Sequence, residues 1–405
     1  MKDRGRSGYE DPSFRRAAPW NAAGLLAGVV LDAVLGDPRR GHPVAAFGRV
    51  AGRLERRLHA DAKPPGVLYA GLCVGGAAAL GLAADRLTSG GTRWPGDGRG
   101  VPPPRRSFVT ALARTAVTGV ATWAVLGGAS LGREGMLMAR SLEAGDLDAA
   151  RARLPHLCAR DPEGLDAKAL ARATVESIAE NTSDAAVAPL LWGAAAGVPG
   201  LLAYRAINTL DAMVGYRSPR HENFGWASAR LDDLANWIPA RVTGLLTVAC
   251  APLAGATPGG AISAGATPAG AIPAGAIPAG ATAASVPPSS GTSRRWPRAG
   301  VLRSREAYET LRRDGGAHPS PNAGRCEAAF AGALGVRLGG VNAYGGRVEQ
   351  RPELGDGRSP EVADIRRAVR LSRAVTLTAA LLSAVLSLVI MQLFTRAARR
   401  GMGER

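Results

Sequence analysis

The chain has 405 residues, with 50 Lys+Arg against 33 Asp+Glu, a formal charge of +17. Cys73, Cys158, Cys250 and Cys326 show no paired spacing, which excludes a zinc ribbon and a disulfide-stapled scaffold. Hydrophobic residues make up 46%, too many for a chain disordered throughout. Nearly all the positive charge is arginine spread over every polar stretch. A nucleic-acid binder gathers its charge into a patch or arm, so nucleic acid is not an expected partner.

Residues 1–20 form a basic tail with no small-residue cleavage site after the apolar run that follows. That run, Asn21 to Gly36, is short and interrupted by Asp32. Four longer runs carry no charge: Pro64 to Ala84, Thr115 to Gly132, Ala185 to Tyr204 and Ala374 to Thr395. Each approaches the roughly 20 residues a helix needs to cross a bilayer core. Val242 to Ala254 is a weaker candidate. No run alternates as a strand does, and Leu142 to Ala179 reads as helix broken at Pro155 and Pro162. The expected fold is all-α, a polytopic integral membrane protein with about four or five spanning or re-entrant helices and large helical polar loops. Arginine in nearly every loop leaves no charge bias from which to read orientation.

Residues 21–254 form the expected membrane-embedded region with polar loops, with a Gly/Pro-rich linker at 90–106. An Ala/Gly/Pro pentad run at 255–294 cannot pack a core and reads as an inserted linker. A polar region follows at 295–373, then a C-terminal transmembrane helix at 374–395 and a basic tail at 396–405.

Polar chemistry is concentrated in four segments. Around Asp32, Asp37-Pro38 and His42-Pro43 bracket a turn; this is either an acid and an imidazole held for function or a capped helix end. In Glu176-Ser-Ile-Ala-Glu-Asn-Thr-Ser-Asp184, a helix places Glu176 and Glu180 on one face, with Asp184 a turn further. Their mutual repulsion is unfavourable unless a cation such as Mg²⁺ relieves it, and Mg²⁺ prefers such hard oxygens. The plain alternative is a solvated acidic helix end. The third segment runs from Asn208 to Arg241. Asn208 and Asp211 share a face, Asp232, Asp233 and Asn236 lie near one turn, and Arg217, Arg220, Arg230 and Arg241 can clamp phosphate. Tyr216 there doubles as an interfacial aromatic. The fourth, Ser320-Pro-Asn-Ala-Gly, turns into a small-residue helix that carries Glu327. Nucleotide-binding glycine loops, a nucleophile elbow and a His-Glu-x-x-His motif are all missing.

The stretches LDAVLGDPRRGHPVAAFGR, ESIAENTSDAAVAPLLWG, AYRAINTLDAMVGYRSPRHENFGWASARLDDLANWIPAR and SPNAGRCEAAFAGALGVRLGG occur in that order. Together they resemble the adenosylcobinamide-phosphate synthase family, the CobD/CbiB proteins of cobalamin biosynthesis. The resemblance covers about Leu25 to Gly346 and the C-terminal anchor. Asp184-Ala185-Ala186 departs from the more frequent Asp-Gly, and Arg325-Cys326 from the more frequent Trp-Pro.

The resemblance implies a multi-pass protein of the inner (cytoplasmic) membrane. It also implies an amide-forming carbon–nitrogen ligase that uses ATP and Mg²⁺, with a corrinoid as substrate. Adenosylcobyric acid, through its free propionate, would be joined to aminopropanol or aminopropanol phosphate. Mapped onto this chain, catalysis falls to Glu176, Glu180, Asp184, Asp211, Asp232 and Asp233. Glu176, Glu180 and Asp184 are the expected Mg²⁺ ligands. Substrate and phosphate binding falls to Asn181, Asn208, Tyr216, Arg217, Arg230, Asn322, Glu327, Asp37 and His42. Expected partners are the lipid bilayer and other enzymes of the corrinoid pathway. Two rival readings are a corrinoid or metal-ion permease and a membrane scaffold that docks corrin-modifying enzymes.

Overall fold

The computed structural model describes residues 19–38, 41–88, 104–216, 218–255, 296–344 and 347–403. The tail before Pro19, most of the 90–106 linker, the pentad run and Arg217 lie outside the described residues.

The protein is an all-α polytopic membrane protein. Its helices are α1 (Pro19–Leu35), α2 (Pro43–Leu58), α3 (Lys63–Thr88), α4 (Pro104–Val125), α5 (Gly128–Glu143), α6 (Leu147–Arg153) and α7 (Ala167–Thr182). They continue with α8 (Ala188–Leu210), α9 (Trp226–Ala235), α10 (Trp237–Cys250), α11 (Trp296–Asp314), α12 (Ala323–Leu334) and α13 (Val362–Gly403). Five helical stretches are long and apolar enough to cross a membrane: Lys63–Thr88, Phe108–Glu143, Ala167–Gly215, Trp237–Gly255 and Val362–Leu393. The anchor expected at 374–395 is therefore part of a longer helix, which also absorbs most of the basic tail. Residues 104–106 of the expected linker already belong to α4.

Small residues set the packing inside the bundle. Gly24 and Gly28 of α1 face Thr118 and Thr122 of α4, and a methyl at either glycine would fall within 2.5 Å of a threonine Cβ. Such spacing lets two helices approach closely where lipid offers no hydrophobic drive to associate. The expected run Thr115 to Gly132 does not form one helix. It breaks between Val125 and Gly128, where the Gly127 amide donates to the Ala185 carbonyl at 3.0 Å. Asp32 Oδ2 accepts the Ala129 amide at 3.0 Å. The buried acid in the first apolar run thus satisfies an orphan donor at the start of α5.

The run Ala185 to Tyr204 is not a single crossing either. The chain reverses at Ala196 and at Gly197, which has φ 61° and ψ −148°. Beyond the reversal, Gly200 lies against the Trp192 carbonyl and Gly193 against Leu201. Tyr204 Oη lies 3.2 Å from the Asp184 carbonyl oxygen, although 20 helical residues would span about 30 Å. Residues 188–195 and 198–210 are therefore the two limbs of a re-entrant hairpin. Its tip packs on α3, where a methyl at Gly81 would lie 2.6 Å from Pro199 Cα.

Two strands, β1 (Leu338–Tyr344) and β2 (Arg347–Leu354), form an antiparallel hairpin that corrects the expectation of no strand. Its glycines and charged residues hide the alternation by which a half-buried strand is recognised. The SPNAG helix accordingly ends at Leu334, where Gly335 adopts the left-handed conformation with φ 67°.

Candidate active site

The re-entrant hairpin brings its two acidic ends together. A π-helical turn at Ser183–Val187 carries Asp184 on the ingoing limb, and another at Asp211–Gly215 carries Asp211 on the outgoing limb. Such turns widen the helix by one residue and recur at functional sites. Gly215 gives Asp211 its room, since a methyl there would overlap the carboxylate.

Helix α9 lies across the open end of the hairpin. Asn236 fixes it by accepting from Tyr204 Oη at 2.8 Å and donating to Asp232 Oδ2 at 3.0 Å. Trp192 Nε1 adds a bond to the Ala235 carbonyl at 3.0 Å. From the far side, Asn322 Nδ2 donates to the Asp233 carbonyl at 2.9 Å, so the SPNAG turn closes the chamber.

The result is a cavity of about 220 Å³, lined among others by Glu180, Asp184, Asp211, Asp232, Asp233 and Asn322. A neighbouring lobe of about 240 Å³ shares Ala229, Asp233 and Ser320 and adds His221, Trp226 and Arg230. Arg230 Nη1 is 3.6 Å from Asp233 Oδ2. Burial, followed by the charge of Asp211, pushes the Asp232 carboxyl up to about 7. Asp232 Oδ1, Ser183 Oγ and Asn322 Oδ1 are buried without a hydrogen-bond partner. Unsatisfied oxygens beside several carboxylates suit a hard cation or an ammonium group, either of which would supply the missing charge and donors.

Glu176 stands apart from this group. Arg160 Nη2 approaches its Oε2 at 2.6 Å, with both side chains only 5% exposed. The Gly339 amide donates to Oε1 at 2.7 Å. Arg172, one turn earlier, donates to the carbonyls of Gly339 and Val341. Glu176 thus docks the β-hairpin onto α7 and does not line the cavity. Among the described residues, no three His, Cys, Asp or Glu side chains are gathered to hold a metal ion. Glu176, Glu180 and Asp184 therefore form no ready-made Mg²⁺ cage, because the first is committed to Arg160.

The other expected residues divide similarly. Asn208 Oδ1 accepts from Arg205 Nη1 at 3.4 Å, and its amide stands near enough to Asp232 to favour the ionised carboxylate. Asn181 turns back onto Ser177, and Tyr216 is exposed outside both lobes. Asp37 Oδ1 lies 3.6 Å from His42 Nε2, and His42 Nδ1 accepts the Val44 amide at the start of α2. That pair is a capped turn outside the cavity. Glu327 is buried behind the wall, where burial and then the charges of Glu176 and Glu180 drive its carboxyl well upward. Cys326 does line the chamber, but burial pushes its thiol up, away from the reactive thiolate. Arg160, Arg172 and Ser183 were not singled out by sequence. One arginine among so many carries no local signal, and a serine beside a π-turn has none.

Comparison with known proteins gives the family. The CobD/Cbib protein family matches residues 25–372. "Cobalamin biosynthesis protein CobD" of Mycobacterium tuberculosis is 47% identical over 372 residues, covering 91% of this chain and 97% of that protein. The protein of the same name from Geobacter metallireducens is 39% identical over 371 residues, covering 90% and 96%. That from Rhodobacter capsulatus is 35% identical over 361 residues, covering 87% and 93%. No solved structure matches the chain. With a family match over most of its length, the chain belongs to the CobD/CbiB family of cobalamin biosynthesis proteins.

Proposed function

We propose that this protein is an adenosylcobinamide-phosphate synthase of the inner membrane. It joins the free propionate of adenosylcobyric acid to aminopropanol or aminopropanol phosphate in an ATP-dependent amide ligation. The observation that most supports this reading is the pairing of two lobes: one is lined by five carboxylates, the other adds Arg230.

A carboxylate resists attack by an amine because oxide is a poor leaving group. Transfer of a phosphoryl group from ATP to one propionate oxygen provides a leaving group, and the amine nitrogen then bonds to the carbonyl carbon as phosphate departs. Glu180, Asp184 and Asp211 line the lobe but form no ready cage, so Mg²⁺ would be held there by one or two of them together with the triphosphate, whose charge it would screen. Arg230, with Arg217, would hold a phosphate by paired guanidinium bonds. The amine arrives as an ammonium and must lose a proton before attack. Asp232, with its carboxyl near 7, is suited to accept it at neutral pH. The SPNAG turn and α9 would keep bulk water from the activated carboxyl.

Glu180→Gln tests the assignment, since it keeps size and removes charge. Turnover should fall at least ~10²-fold while membrane insertion and melting temperature stay unchanged. Retained turnover would remove Glu180 from the site. Passage of labelled corrinoid into sealed vesicles without a change in its mass would favour a permease instead.

A further inference from the structure

Helix α2 is amphipathic in a way that the cavity does not explain. Phe47, Ala51, Leu54 and Leu58 recur at helical spacing and pack against Tyr69, Leu210, Val214 and Phe224. On the opposite side, Arg49, Arg53, Arg56 and Arg57 are all exposed. Their spacing of four, three and one residues places them on one stripe. None of the four forms an ion pair among the described residues. Glu55, the one acid of the helix, is engaged by His221 Nε2 at 3.0 Å and Arg220 Nη2 at 3.3 Å.

The position of α2 supplies the second argument. It joins the end of apolar α1 to the start of the span α3, so it lies at the face where both emerge. Lys63 opens α3 there and stacks its ammonium over Trp226 at 5.1 Å. Trp226 is 42% exposed, and Trp237, stacked under Arg241, is 50% exposed. Exposed tryptophans with basic neighbours mark the headgroup level of a bilayer.

We propose that α2 is an interfacial helix whose arginine stripe binds the phosphates of anionic phospholipid headgroups in the adjoining leaflet. Guanidinium groups engage phosphate oxygens in pairs, and a basic stripe beside the bilayer is drawn to negative lipid. The buried side of α2 connects that surface to the cavity. Gly48 and Gly52 lie over Met213, within the π-helical turn that begins at Asp211. Headgroups bound to the stripe therefore brace the wall that carries Asp211.

The test is native mass spectrometry of the full chain, released from bilayers of equal phosphatidylglycerol and phosphatidylcholine. The wild type is expected to retain phosphatidylglycerol over phosphatidylcholine by about threefold or more. R49Q/R53Q/R56Q/R57Q should lose that preference, and the corresponding four-lysine variant, which keeps the charge without the paired guanidinium bonds, should keep part of it. R53Q/R57Q, which changes two outward side chains, should lose about half and covers the case in which the quadruple variant fails to insert. An unchanged preference in the glutamine variants would overturn the proposal. Displacement of the bound lipid by millimolar inorganic phosphate or ATP would also overturn it, by assigning the stripe to a soluble phosphate ligand.

Discussion

Arg160 and the Gly339 amide occupy both oxygens of Glu176, while Glu180, one turn on, faces the cavity. The two glutamates therefore predict different failures. Glu176→Ala removes the carboxylate shared by Arg160 and the β-hairpin, and loss of such a buried pair costs about 3–5 kcal/mol. It should lower the melting temperature of the detergent-solubilised protein by several degrees. Melting like the wild type would show that the hairpin does not depend on it. Asp232 predicts a pH dependence. Its carboxyl is raised from an ordinary 3.8 to about 7, so below that value it is protonated and cannot accept the ammonium's proton. Turnover should rise with pH through a midpoint at or below about 7, because a cation beside Asp211 would offset the charge that helps to raise Asp232, and a profile flat from pH 4.5 to 8 would exclude Asp232 as the base. The i, i+4 spacing of Glu176 and Glu180 was legible in the sequence. The arginine that takes one of them comes from a loop 16 residues earlier, and no periodicity announces it.

The re-entrant hairpin is the element on which the site depends. About 17 Å of helix separates Asp184 from the turn on the ingoing limb, and the outgoing limb returns a similar distance to Asp211. A straight crossing would leave these two acids some 40 Å apart, near opposite membrane faces. Gly197 holds a φ/ψ pair that is essentially confined to glycine, so Gly197→Ala should destabilise by about 1–3 kcal/mol. Gly81→Leu should cost more, because its side chain would meet the Pro199 backbone at the tip. Thermal melting tests both, and a Gly81→Leu protein as stable and active as wild type would contradict the packing of the tip. Apolarity of 185–204 was plain in the sequence. Its reversal was not, since Gly197 and Pro199 are also ordinary within membrane helices.

At the scale of the whole molecule, composition and uncharged runs were enough for an all-α membrane protein, because the bilayer demands long apolar helices. Four of the five membrane-length stretches coincide with the strongest apolar runs, and Trp237–Gly255 contains the weaker one. The acids of the cavity were also visible as types and spacings. What brought them together was invisible: Asp184 and Asp211 meet through a reversal, and Asp232 arrives on α9 through Asn236 and Tyr204. The β-hairpin was missed because glycine and charge interrupt its alternation.

Turnover by the purified full-length protein in a bilayer tests the central claim most directly. Adenosylcobyric acid, Mg-ATP and either aminopropanol or its phosphate would be supplied, and the corrinoid mass followed. The account predicts an ATP-dependent gain of one amine less one water, abolished by Glu180→Gln. An inserted, folded protein that binds the corrinoid and leaves its mass unchanged would contradict it.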